Sequence, residues 1–306
     1  MNKPPMILDI KGNCLDDGPG IRTVVFFKGC PLDCVWCHNP ESKSPWPEIS
    51  FDRNACILCN QCLGVCRKNA LNRQTPDYID RSRCDLCFDC VEACTAEALT
   101  RQGQTMTLAE VFYKIARDKP FFDTSGGGLT LSGGEPLLQM DFASALLKAA
   151  RAEKIHTLVE TCGLFSFEAF TEKILPHCDQ IYMDIKLVDL DTHKKFCGAS
   201  NQTILKNLKK LSRLAEIGQI KFLPRVPLIP GITDTQKNLE AIADLLKENH
   251  LPKVQLLEYN PSWFNKCIKL GKPNPLAGQK GMEAWLAPEQ IDVCRSIFTT
   301  RGIQVK

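Results

Sequence analysis

The 306 residues, 44% hydrophobic and 24% charged, suffice for one large domain with a buried core plus an inserted segment. A net charge of +3 is too small to point to nucleic acid or an anionic membrane surface as partner. No apolar run approaches the ~20 residues of a membrane span, and Met1 to Ile10 lacks a signal peptide's layout, so a cytoplasmic location is expected.

Asp16 to Thr23 reads Asp-Asp-Gly-Pro-Gly-Ile-Arg-Thr, a turn-rich segment. Thr23 to Phe27, Thr-Val-Val-Phe-Phe, is a short β-rich apolar run of the kind found in buried strands. It leads into Gly29 to Glu41, where Cys30, Cys34 and Cys37 are spaced C-x3-C-x2-C. Three thiols thus sit on one short loop that Gly29 and Pro31 help to turn. Three ligands are one short of the four that a cubane cluster needs, which leaves one iron for something else. A closed zinc site would want a fourth ligand, and the adjacent His38 is a candidate for it.

From Pro40 to Pro47 the composition shifts to Pro, Ser, Glu and Lys, which reads as a linker. Beyond it Cys56, Cys59, Cys62 and Cys66 are spaced C-x2-C-x2-C-x3-C, and Cys84, Cys87, Cys90 and Cys94 repeat that spacing 28 residues later. The match continues past the ligands, with Asn69-Ala70-Leu71 aligning with Glu97-Ala98-Leu99. Seventeen cysteines, an odd number in tight spacings, argue for metal ligation in a reducing cytosol rather than for disulfides. The duplicated segment resembles a two-cluster bacterial ferredoxin, in which the fourth Cys of each run ligates the other cluster. The resemblance assigns one cluster to Cys56, Cys59, Cys62 and Cys94 and the other to Cys84, Cys87, Cys90 and Cys66. The Pro usual after the fourth Cys is Arg67 in one copy and Thr95 in the other. Paired zinc ribbons are the competing reading of the eight thiols.

After Arg101 strands and helices alternate. Leu108 to Arg117 carries apolar residues at helical spacing, and Gly128 to Leu131 is a short strand running into Ser132-Gly133-Gly134-Glu135-Pro136. Phe142 to Ala152 is helical by pattern. His156 to Thr161 is a strand ending at Glu160-Thr161-Cys162-Gly163, and Ile181 to Asp184 is another, continuing into Ile185 and Lys186. Ile220 to Val226 carries Arg225 near its end, and Val254 to Tyr259 stops at Asn260. Apolar runs that stop at polar residues, separated by helices of roughly a dozen residues, are the pattern of parallel β/α units with ligands at the strands' carboxyl ends. Six strands counted from Thr23 predict an open (β/α)6 partial barrel. Its parts are residues 1–47, an insert at 48–102, and 103–306. Cys14, Cys162, Cys178, Cys197, Cys267 and Cys294 read as buried small hydrophobes, and Pro288 to Thr299 as a closing helix.

The loop of Cys30, Cys34 and Cys37 resembles the cluster loop of the radical S-adenosylmethionine (SAM) enzymes, where SAM takes the fourth position. Asp17-Gly-Pro-Gly-Ile-Arg22, followed by Phe27-Lys-Gly-Cys30, resembles the glycyl-radical-enzyme activases, and the likeness extends over nearly the whole chain. It implies a TIM-like partial barrel of the radical SAM type, with three 4Fe-4S clusters, SAM and a monovalent cation as cofactors. It implies that Asp17, His38 and Asn39 face the partner's glycine loop, and that Trp36, Cys37 and His38 border SAM. Gly133, Gly134 and Glu135 then match the turn that contacts the amino group of SAM. Asp184, Ile185 and Lys186 match the motif at its carboxylate and ribose, and Glu160 and Arg225 match positions near SAM or the cation. Asn260 stands where better-known members have His; its amide donates and accepts hydrogen bonds but does not titrate near neutral pH.

The implied reaction is reductive cleavage of SAM and hydrogen abstraction from a glycine Cα of a partner enzyme, in an oxygen-poor setting. A flavodoxin or ferredoxin is the implied electron donor, and the insert an inward relay. A radical SAM enzyme acting on a small molecule would share the cluster loop but not the Asp17–Arg22 segment. A non-catalytic ferredoxin-like carrier would leave Cys30, Cys34 and Cys37 unexplained.

Overall fold

The computed structural model describes residues 5–75 and 77–306. In chain order its strands are β1 (Met6–Cys14), β2 (Arg22–Phe27), β3 (Glu48–Phe51), β4 (Leu99–Gln102), β5 (Gln104–Thr105), β6 (Gly128–Gly133), β7 (His156–Thr161), β8 (Gln180–Asp184), β9 (Lys221–Pro227), β10 (Lys253–Leu257) and β11 (Gln304–Val305). The helices are α1 (Gln61–Val65), α2 (Asp89–Glu92), α3 (Leu108–Ala116), α4 (Lys119–Ser125), α5 (Met140–Ala152), α6 (Phe167–Lys173), α7 (Leu190–Cys197), α8 (Gln202–Glu216), α9 (Gln236–Glu248), α10 (Trp263–Lys269) and α11 (Pro288–Thr299). None of these helices is long and apolar enough to cross a membrane.

All strands but β3 and β4 form one sheet, in the order β11-β10-β9-β8-β7-β6-β2-β1-β5. β2 and β6 to β10 are the six parallel strands expected, and the sheet stays open between its β11 and β5 edges. Three strands lie outside that expectation: β11 adds in parallel beside β10, and β1 and β5 add antiparallel beyond β2. β1 escapes a search for apolar runs because Asp9, Lys11 and Asn13 alternate with its more buried residues, as on a strand wet on one side. The last predicted strand also stops sooner, at Leu257, which leaves Tyr259 and Asn260 in the following loop.

The parallel strands are apolar because both their faces are covered. Val24, Val25, Leu129, Leu131, Val159 and Ile181 are all fully buried. The covering helices present single apolar rows: Ile204, Leu208 and Leu211 on α8, and Leu239, Ile242, Ala243 and Leu246 on α9. Their starts are fixed locally. Thr107 and Glu110 form a reciprocal capping box on α3, while Ser166, Asp189 and Thr235 accept main-chain N–H bonds at the starts of α6, α7 and α9.

The segment between β3 and β4 is built separately. These two strands pair antiparallel from Glu48 opposite Gln102 to Phe51 opposite Leu99. The residues they enclose pack a small core of Ile49, Phe51, Tyr78, Ile79, Phe88 and Leu99 around Cys62 and Cys90. The 28-residue repeat extends to the backbone. Leu58 and Leu86, Asn60 and Phe88, and Asn69 and Glu97 all adopt left-handed φ values, between 49° and 68°. Non-glycine residues seldom take that conformation, so its recurrence in pairs marks two loops wound the same way.

Candidate functional site

The cysteine loop leaves β2 at the carboxyl edge of the sheet, and main-chain bonds from distant segments hold it. Gly29 N–H donates to Ser42 O at 2.7 Å and Cys30 N–H to Lys43 O at 3.1 Å, so residues 40–43 pack against the loop. Pro40 and Ser42 are buried in a short 3-10 turn. The Pro40–Pro47 stretch is therefore part of the scaffold at this end, a correction to its reading as a linker. On the other side Asp33 N–H donates to Cys197 O at 2.8 Å and Val35 N–H to Phe196 O at 3.0 Å, tying the loop to the end of α7. Trp36 is buried and packs its ring 6.4 Å from that of Phe196.

The turn after β6 docks on the same loop. Glu135 N–H donates to Gly29 O at 2.8 Å and Gly134 N–H to Phe27 O at 2.9 Å. A Cβ on Gly134 would lie 2.2 Å from Gly29 O, and one on Gly133 (φ +103°) 2.5 Å from Phe27 N. The close main-chain approach is that of the end of β2 at Gly133 and of the cysteine loop at Gly134. The Glu135 side chain is buried too. Its carboxylate accepts from Leu137 N–H at 3.0 Å, Thr161 Oγ1 at 2.9 Å and Cys162 N–H at 2.7 Å. Burial raises its pKa above the usual carboxylate range, against these donors.

Cys162 and Cys197 are buried, as expected, and both stand beside the cysteine loop. Cys162 hydrogen-bonds to Cys30, which holds the Cys30 thiol below its usual value although burial opposes this. The Cys197 thiol beside Cys34, together with burial, pushes Cys34 up. Burial pushes Cys37 up to about 12. The Lys186 ammonium, raised by Asp184 against its burial, stands in the field of Cys34, Cys162 and Cys197. Three thiols on one pinned loop beside a buried cation fit a cluster that carries negative charge and takes three protein ligands.

On the inner face of the sheet, Leu158, Tyr182 and Leu223 form an apolar layer. Two residues on in each strand, Glu160, Asp184 and Arg225 form a polar one, as the period of a strand demands. Arg225 Nε donates to Asp184 Oδ1 at 2.9 Å, and its NH1 group donates to Glu160 Oε1. Ser132 Oγ donates to Glu160 Oε2 at 2.7 Å, and Lys186 Nζ to Asp184 Oδ2 at 3.0 Å. Burial pushes Asp184 up, but Arg225 and Lys186 outweigh it and hold the carboxyl below its ordinary value. Ile185, buried, anchors the turn through its N–H to Arg225 O at 2.8 Å.

Asp17 faces this layer: burial, then the Glu160 charge, raise its pKa, and Arg225 pulls the other way. Its carbonyl accepts from Thr130 Oγ1 at 2.8 Å. Arg22, also in the turn motif, is fully buried and points elsewhere. Its Nε donates to Thr130 Oγ1 at 2.9 Å, its NH2 group to Leu129 O, and its NH1 lies 3.1 Å from His156 Nδ1. Arg22 is a clamp that fixes the turn carrying Asp17.

His38 and Asn39 are held from the C-terminal side. Lys266 Nζ, on α10, donates to His38 O at 2.9 Å, Asn39 Oδ1 at 3.0 Å and Glu41 Oε1 at 2.8 Å. The His38 ring meets Tyr259 edge-on at 6.5 Å, and burial followed by Lys266 lowers its pKa. Asn260 Oδ1 accepts from Ser262 N–H at 2.9 Å, and its backbone is hydrogen-bonded to His38. Nothing in the spacing of the sequence singled out Lys266. Ser132 and Thr161 lie inside the quoted motifs and were within reach.

The eight cysteines of the duplicated runs line two separate cavities. Cys56, Cys59, Cys62 and Cys94 line one small cavity. Cys66, Cys84, Cys87 and Cys90 line a second, of about 290 Å³. Main-chain N–H groups point at the sulfurs, from Ala70 to Cys66 at 3.3 Å and from Leu99 to Cys94 at 3.4 Å. Among the described residues no three His, Cys, Asp or Glu side chains converge on one point as the ligands of a single metal ion do.

A family profile described as "Radical SAM superfamily" matches residues 24–246. The chain is 39% identical over 272 residues to the trans-4-hydroxy-L-proline dehydratase activating enzyme of Clostridioides difficile, covering 88% of each. It is 37% identical over 314 residues to the (2S)-3-sulfopropanediol dehydratase activating enzyme of Klebsiella oxytoca, covering 99% of this chain and 97% of that one. Among solved structures, a radical SAM methyltransferase from Sphaerobacter thermophilus superposes with a TM-score of 0.54 at 15% identity, covering 99% of this chain and 76% of that one. At that identity the likeness is one of fold.

Proposed function

The chain belongs to the radical SAM superfamily, among the activating enzymes of glycyl radical enzymes, and we propose that its reaction is assembled at the carboxyl edge of the sheet, with the parts as follows. Cys30, Cys34 and Cys37 hold a 4Fe-4S cluster with one iron left open. When bound, that cluster supplies an electron for reductive cleavage of SAM, and the 5′-deoxyadenosyl radical takes a hydrogen atom from a glycine Cα of the partner.

The observation that carries this reading is the interlock of the cysteine loop with the Gly133-Gly134-Glu135 turn, next to the ionic layer of Glu160, Asp184 and Arg225. The turn braces the loop whose three thiols would hold the cluster. Lys186 and Arg225 offer cations to a ligand carboxylate, and Glu160 and Asp184 offer anions to an ammonium or a bound monovalent cation. Trp36 and His38 wall the loop side, and Asn260 is a neutral hydrogen-bonding group where a ribose would lie. Asp17, with His38 and Asn39 across the opening, receives the partner's glycine loop. Enclosure by these elements orients the glycine and keeps water from the radical.

Residues 48–102 form an inserted unit with two auxiliary 4Fe-4S clusters, one on Cys56, Cys59, Cys62 and Cys94, the other on Cys66, Cys84, Cys87 and Cys90. When loaded, these thiols would hold an inward relay for electrons from a flavodoxin or ferredoxin in the cytoplasm. The named relatives serve partners of different chemistry, so the partner is given by class alone. Anaerobic reconstitution with iron and sulfide counting tests the assignment: about twelve irons per chain in the wild type and about eight in Cys30→Ala, with SAM cleavage lost. About four irons in the wild type, or intact SAM cleavage in the variant, would overturn it. Glycyl radical formation on a candidate partner, followed by its electron paramagnetic resonance (EPR) signal, tests the partner class.

A further inference from the structure

The duplicated cysteine runs are alike in ligand spacing, in their left-handed residues and in the amide donors to Cys66 and Cys94. Tyr78 breaks that likeness. Its hydroxyl lies 3.0 Å from Cys62 Sγ, and the side chain is only 1% exposed. Cys90 is the counterpart of Cys62 in the second run, and among the described residues no side chain hydrogen-bonds to its sulfur. Tyr78 is also fixed firmly. Its ring stacks on Phe51 at 4.2 Å, the Arg73 guanidinium lies 5.8 Å over it, and its φ of +61° has no partner in the repeat.

We propose that Tyr78 is a positioning residue that makes the two auxiliary centres unequal, by donating a hydrogen bond to Cys62 and so raising the potential of that centre above its twin. The inference rests on the reading in which both cavities hold clusters. A ligated cysteine is a thiolate without a proton, so the hydroxyl is the donor. One-electron reduction adds negative charge that spreads onto the sulfur ligands, and a donor aimed at one of them stabilises the reduced form more than the oxidised one. The bond is shielded from water, which strengthens it. An electron delivered to the pair therefore rests first on the centre of Cys62, giving a near-symmetric module a direction.

The test uses the full chain, anaerobically reconstituted, as wild type and as Tyr78→Phe, which deletes one oxygen and keeps the ring. Potentials are read by EPR during titration with dithionite and mediators, the SAM-binding centre being told apart by its response to SAM. The wild type is expected to show two resolved auxiliary potentials, the higher of which falls toward the lower in Tyr78→Phe while the lower stays. Full iron content with unmoved potentials, or equal potentials in the wild type, would overturn the inference. Wild type with about four irons would instead overturn the cluster reading itself. Should Tyr78→Phe fail to load, replacing the tyrosines with a fluorinated tyrosine keeps the shape and strengthens the donor. The same potential is then expected to rise, and no rise would count against the proposal.

Discussion

The main-chain N–H of Cys162 donates to Glu135 Oε2 at 2.7 Å, so a carboxylate on the turn after β6 fixes the end of β7 beside the thiol that contacts Cys30. Thr161 Oγ1 shares the same oxygen. One buried side chain thereby sets the spacing between the cysteine loop and two neighbouring strands.

Glu135→Ala strands three buried donors at once, and each unsatisfied group costs about 1–3 kcal/mol. The variant is expected to lose at least about 3 kcal/mol in urea unfolding. Glu135→Gln, which keeps one acceptor oxygen, is expected to lose less. An alanine variant within about 1 kcal/mol of the wild type would show that the donors find water instead.

Glycine is demanded at Gly134 by the carbonyl of Gly29, whereas at Gly64, within α1, an added Cβ meets nothing within 4 Å. Gly134→Ala is expected to displace the cysteine loop and cut iron at the catalytic site, leaving about eight irons per chain. Gly64→Ala is expected to keep all of them and to gain up to about 1 kcal/mol. Iron analysis and thermal unfolding of the two variants side by side decide it.

Asp17→Asn removes a charge from the opening without touching the thiols. Iron content and slow SAM cleavage in the absence of partner are expected to stay at wild-type levels, while glycyl radical yield drops at least about tenfold. Arg22→Ala should also lower the radical yield by freeing the turn, and in addition lower stability by at least about 2 kcal/mol. If Asp17→Asn suppressed SAM cleavage and radical yield equally, Asp17 would belong to the SAM site.

Arg225 and Lys186 hold Asp184 below its unfolded-state value, so the folded protein binds that proton less readily than the unfolded chain does. The resulting stability is present above about pH 4 and is lost as the pH falls through the folded-state value. Asp184→Asn is expected to flatten the acid limb of stability against pH while lowering stability near neutrality. Urea midpoints between about pH 3 and pH 7 measure both effects, and parallel curves would rule the linkage out.

The parallel strands were legible because each is an apolar run ending at a polar residue, as in His156–Thr161, whose predicted and observed limits coincide. β1 was not, because alternation with Asp9 and Lys11 hides it from a search for apolar runs. Within the site, local motifs named Glu160, Asp184, Arg225 and the cysteines. They did not reveal that Arg22 turns inward as a clamp, or that Lys266 reaches across from α10 to Asn39. The partners of both lie more than 100 residues away in the chain. Spacing along a sequence carries no information about contacts at that range.

The pairing of Glu48 with Gln102 places the entrance and exit of the eight-cysteine segment side by side. Antiparallel partners stand about 5 Å apart, a gap that a tight turn can bridge. Ion pairs fasten the segment further: Glu48 to Lys28 and Lys272, and Asp52 to Lys269 on α10. A shortened chain in which a glycine turn replaces it would keep the bonds that the turn after β6 and the end of α7 make to the Cys30–Cys37 loop, but would leave buried Lys28 without its Glu48 partner.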